Sequence, residues 1–104
     1  MSIWSNNNID KNSLRYASNS DRKNRDYVLK AVMKDGSDLE YAKGDLNKDR
    51  GVVLAAVKQY GQALRFADKK LKEDKEIVME ALNQNPWALM YAGESFKKDK
   101  NLVL

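Results

Sequence analysis

The 104-residue chain is long enough for one domain with its own core, and with 42% apolar residues, 33% charged and a single Pro it does not have the composition of a disordered tail. It contains no Cys and no His. That excludes disulfides, a thiolate nucleophile and the two commonest zinc ligands, and it removes the usual general base near neutral pH. The net charge of +4 is concentrated in residues 1–25, with five basic against two acidic side chains; the remaining 79 residues carry 14 and 13, so no continuous phosphate-binding stripe is expected.

From the N-terminus, Met1–Asn8 lacks both the basic flank and the apolar run of a signal peptide, and no stretch approaches the ~20 apolar residues that span a bilayer. The opening Met reads as a natural start, and a cytoplasmic, membrane-free location is expected. Ile3 and Trp4 are read as a cover for one end of the core. Arg15, Arg22, Lys23 and Arg25 form a basic group that could contact an anion, although no phosphate loop or nucleic-acid motif accompanies them.

A 25-residue period organises the rest. Val28, Val53, Val78 and Val103 fall in register, as do Ala31, Ala56 and Ala81; then Leu39, Leu64 and Leu89; Tyr41, Phe66 and Tyr91; and Ala42, Ala67 and Ala92. The units are residues 24–48, 49–73 and 74–98, preceded by a partial unit (1–23) in which Leu14, Tyr16 and Ala17 match Leu39, Tyr41 and Ala42. A second partial unit (99–104) follows, all within one domain.

In each unit the first segment predicts a helix. Val53, Ala56, Val57 and Tyr60 have the i, i+3, i+4, i+7 spacing of one apolar face, Asp49 is the N-cap, and Gly61 should end the helix as a left-handed C-cap. Ala63, Leu64, Ala67 and Leu71 predict a second, shorter helix. In the third unit Pro86 replaces the Gly, and Asn85–Pro86 is a sound helix start. Such a helix pair cannot bury enough surface alone, so neighbouring pairs must stack, the small Ala positions allowing close approach and the aromatics filling the space between. The expected fold is all-α: tandem 25-residue helix-turn-helix repeats in a short, solenoid-like, right-handed array.

The unit Asp49–Glu73, above all V-L-A-A-V-K-Q-Y-G (Val53–Gly61) and the A-L-x-[YF]-A cores at Ala63–Ala67 and Ala88–Ala92, resembles the tandem repeats of the domain of unknown function 4116 family. The resemblance covers about residues 12–104. It implies stacked helices and favours binding of other macromolecules over chemistry, and it brings no catalytic residues. The first unit departs from the pattern, with Asn24 at the cap and Asp38 where Ala63 and Ala88 stand; its stacking is expected to be looser.

Positions that differ between units are free to carry function. Trp87 replaces Ser37 and Gln62, and Met90 replaces Glu40 and Arg65, which sets two large apolar side chains three residues apart. Exposed, they would form a patch for a protein partner; the competing reading is that they cover the end of the core. The carboxylate pairs Glu73/Asp74 and Glu76/Glu80 are read as surface charge. Leu102, Val103 and Leu104 repeat the first turn of a further unit, so that the end either caps the stack, belongs to a longer array, or meets another copy head to tail. The expected function is a non-enzymatic module, without cofactor, that binds a protein of unknown identity; self-association and nucleic-acid binding through the N-terminal cations are the alternatives.

Overall fold

The structure, a computed structural model, describes residues 13–98, and every regular element among them is helical. Ile3, Trp4 and Leu102–Leu104 lie outside the described residues. The three units are built alike. Each opens with a ten-residue α-helix: α2 (Arg25–Lys34), α3 (Arg50–Gln59) and α4 (Lys75–Gln84). Each α-helix is followed by one extended residue and a six-residue 3-10 helix, Gly36–Tyr41, Gly61–Phe66 or Pro86–Tyr91. A short 3-10 turn ends the first two units, and α5 (Glu94–Lys97) the third. The N-terminal partial unit contributes a 3-10 turn (Leu14–Tyr16) and α1 (Asn19–Arg22).

Local chemistry fixes where the α-helices start. Asn24, Asp49 and Asp74 accept from the backbone N–H groups of Tyr27, Val52 and Ile77, satisfying one of the free donors of each first turn. Their ends differ from the sequence expectation. Gly61 is not a left-handed cap: α3 ends on extended Tyr60, and Gly61 opens the 3-10 helix with no positive φ. Glycine is required there by packing. A Cβ on Gly61 would lie 2.4 Å from Ala81 O, and one on Gly36 would lie 2.2 Å from Ala56 O, so each glycine lets the next unit's α-helix seat its backbone carbonyl directly on the preceding unit.

The longer elements pack on their equivalents in the next unit: α2 on α3 and α3 on α4, the six-residue 3-10 helices likewise, and each of the first two of these also against the following α-helix. One core runs through the units, with Val28, Val32, Leu39, Val53, Val57, Leu64, Ile77 and Val78 all at most 1% exposed. Burial of one such side chain contributes about 1.5–3 kcal/mol, which a lone helix pair could not collect. A backbone bond repeats at the same register on every seam: Lys43 N–H to Arg22 O (2.9 Å), Asp68 N–H to Asn47 O (2.9 Å) and Gly93 N–H to Lys72 O (2.8 Å).

Asp38 does not loosen the first unit. It is 5% exposed and accepts from Leu14 N–H (3.1 Å) and Ser13 Oγ–H (3.0 Å), tying the N-terminal partial unit down where the other units use Ala.

Candidate functional site

The local chain geometry at Asn85 sets up the patch. The Asn85 carboxamide oxygen accepts from Trp87 N–H (2.9 Å), and Pro86, with φ preset and no N–H to lose, takes the first helical position. In a 3-10 helix residues three apart lie one above the other, about 6 Å along the axis, so Trp87 and Met90 share an edge. Trp87 is 70% exposed and Met90 59%. With Pro86, Leu89 and Lys97 they border an open depression of about 410 Å³.

The repeats act as an internal control on which surface this is. Glu40 and Arg65, at the position of Met90, remain exposed although a unit is stacked behind each of them. Position 90 therefore points away from the stacking face. Leu89 and Leu82 report on that face instead: both are half-buried, whereas Leu39, Leu64, Val32 and Val57 at the equivalent positions are sealed by the next unit.

The N-terminal cations do not form a free cluster. Arg25 forms an ion pair with Asp49 (Nε to Oδ2, 2.6 Å), which holds the guanidinium pKa up and the carboxyl below its ordinary range. Arg22 donates from its guanidinium to Arg15 O (2.7 Å) and lies 5.8 Å from the Tyr41 ring centroid, while Arg15 lies 5.5 Å from that of Tyr16. Lys23 is exposed and packs its stem against Gly44.

The Arg25–Asp49 pair belongs to a ladder that sequence reasoning missed. Arg50 pairs with Asp74 one unit later (2.8 Å) and also reaches Glu76, so the first helical residue of one unit grips the N-cap carboxylate of the next. The hydrogen bond from Arg50 is the main cause of the lowered Asp74 pKa, with burial opposing it. The signal was in the sequence as a basic residue at 25 and 50 followed 24 positions later by Asp. Glu76 is thereby engaged with Arg50, and Glu73 accepts from Ser95 Oγ–H (2.6 Å). Among the described residues no group of three or more carboxylates is placed to hold a metal ion, and no helix is long and apolar enough to cross a membrane.

Tyr41, Phe66 and Tyr91 are half-buried against the core, and Arg65 lies over both the Phe66 ring (4.9 Å) and the Tyr91 ring (5.7 Å), clamping the second seam. Tyr16 departs from this pattern and is 55% exposed.

No curated protein and no solved structure matches the chain. A family model does, in four overlapping windows at residues 7–47, 24–72, 49–97 and 74–104, three of them beginning at an N-cap residue of an α-helix. With 25-residue helical units that share a cap, a packing glycine or its Pro86 replacement, and an L-x-[YF]-A core, the chain belongs to the family described as domain of unknown function (DUF4116).

Proposed function

We propose that the chain is a non-enzymatic helical repeat module that docks another protein through Trp87 and Met90. One observation carries this reading: two large apolar side chains are 70% and 59% exposed on an edge that bears polar residues in the other two units. Exposed apolar clusters mark interaction sites, and Trp is enriched among residues that dominate binding energy. The array is solenoid-like and right-handed in this reading, and the module works in the cytoplasm.

Head-to-tail self-association is less well supported. Pro86 carries a Cβ where Gly36 and Gly61 leave room for the carbonyl of the next unit's α-helix, so a further unit cannot seat there in the same way. Nucleic-acid binding loses Arg25, which is committed to Asp49.

The test is affinity capture from lysate of the source cell with the wild type and with a Trp87→Gln, Met90→Arg variant, which restores the middle unit's residues. A protein held by the wild type and lost from an equally stable variant supports docking. Capture that is unchanged removes the patch from binding.

A further inference from the structure

Met90 brings chemistry to the edge as well as bulk. The chain has no Cys, so thioethers are its only sulfur groups. Met33 and Met90 are 56% and 59% exposed, whereas Met79 is half-buried. The two exposed thioethers stand at different places. Met90 borders the depression beside Trp87, and Met33 borders another one lined by Gly51, Leu54, Ala55 and Lys58.

Comparison between units shows what the fold asks of each position. Where Met90 stands, the other units have Glu40 and Arg65; where Met33 stands, they have Lys58 and Asn83. The same ten-residue α-helix and six-residue 3-10 helix form in all three units, so both positions accept polar side chains. Met79 differs, because it takes the place of Leu29 and Leu54, which are packed against the core. A polar atom added to the Met90 sulfur therefore alters the edge and leaves the fold intact.

We propose that Met90 is an oxidation site that switches the docking edge off: a hydroperoxide converts its thioether to the sulfoxide, and a thiol-dependent reductase restores it. The inference rests on the docking reading above. In the forward step the sulfur lone pair attacks a peroxide oxygen and the O–O bond breaks. That oxygen stays on sulfur, which gives up two electrons, and the other leaves as water, or as an alcohol from an alkyl hydroperoxide. In the return step two reductase thiols join in a disulfide, supplying two electrons and the two protons with which the oxygen leaves as water. The sulfoxide oxygen is a hydrogen-bond acceptor at a spot that a partner's apolar surface would cover, so docking must strip its water without replacing the bonds. Met33 is equally open to the oxidant but lies outside the edge, which makes it the internal control.

The experiment treats the wild type, Met33→Leu and Met90→Leu with hydrogen peroxide and follows oxygen uptake at each methionine by peptide mass spectrometry. Each protein then serves as bait in lysate of the source cell, scored for proteins that Trp87→Gln fails to hold. Met33 and Met90 should oxidise at similar rates, and faster than Met79, with Tm unchanged. Capture should fall about tenfold in oxidised wild type and oxidised Met33→Leu, persist in oxidised Met90→Leu, and return after treatment with methionine sulfoxide reductases of both epimer specificities. Undiminished capture by bait oxidised at Met90 overturns the switch and leaves the docking surface standing. So does a loss that oxidised Met90→Leu shares, or one accompanied by a fall in Tm. Absence of any Trp87-dependent capture by the untreated wild type overturns the docking reading as well.

Discussion

Gly61→Ala tests the seam between units most sharply, because one added methyl group must act in opposite directions on the folded and unfolded chain. The new Cβ would stand 2.4 Å from Ala81 O, 3.0 Å from Gln84 Oε1 and 3.2 Å from Asn85 Cβ. Ordinary contact begins near 3.4 Å, so α4 must withdraw by about 1 Å or the Gly61–Phe66 helix must tilt. Overpacking of this kind costs about 1–3 kcal/mol, against about 0.4–1 kcal/mol returned because Ala restricts the unfolded chain. A net loss of about 1–2 kcal/mol lowers Tm by roughly 4–15 °C in a domain of this size. Gly51→Ala is the control. Its Cβ would meet the flexible tip of the Arg25 guanidinium, whose shift weakens the exposed pair with Asp49 by at most about 1 kcal/mol, while Ala improves the first turn of α3 by about 0.5–1 kcal/mol, so little net change is expected. Urea and thermal unfolding followed by circular dichroism measure both. If Gly61→Ala proves as stable as the wild type, the close seating of α4 is wrong.

Other positions give independent checks. Asp74→Asn keeps an oxygen for the Ile77 N–H and removes the charge that pairs with Arg50, and it should cost about 0.2–1 kcal/mol at neutral pH, more at low salt. Because the folded pKa values of Asp49 and Asp74 lie below their ordinary 3.8, both groups stabilise the fold fully above that value. Tm should therefore hold steady down to about pH 5 and fall below pH 4 as the two carboxylates protonate, less steeply in Asp74→Asn; a steeper fall in the variant contradicts the pairing. Asp38→Ala leaves the buried Leu14 N–H without its acceptor and should cost about 1–3 kcal/mol in the same unfolding assay. A more stable Asp38→Ala would mean that the Ala of the other units is the better residue and that the tie to Leu14 contributes nothing.

The period made most of the fold legible. Val28, Leu39 and their equivalents are apolar at every recurrence because every unit needs the same buried sites, and Asp49 and Asn85 announce helix starts through chemistry local to a few residues. The failures have a different origin. Gly61 resembles a helix C-cap when read beside Tyr60, but its reason is Ala81 O, twenty residues away and adjacent only after stacking. Asp38 looked like a lapse from the Ala of the other units because the donors it serves lie in the preceding partial unit. Arg25 looked free for the same reason, its partner being the next unit's cap. The second segment was read as one helix carrying Ala63, Leu64, Ala67 and Leu71 on a face, whereas the 3-10 helix ends at Phe66, Ala67 is extended and Leu71 opens a separate 3-10 turn; apolar spacing does not separate an α-helix from short 3-10 pieces over one or two turns. Trp87 and Met90 were found by comparing units; their exposure needed the structure, which shows position 90 facing out where Glu40 and Arg65 do, while Ser37 and Gln62, at the position of Trp87, are half-buried.

The most direct test of the docking surface is photo-crosslinking in the source cell, with a benzophenone side chain placed at position 90 and, in a separate variant, at the equivalent position 65. The account predicts a discrete adduct with another protein from position 90 that position 65 does not give. Identical adducts from both positions, or none from position 90, would contradict it.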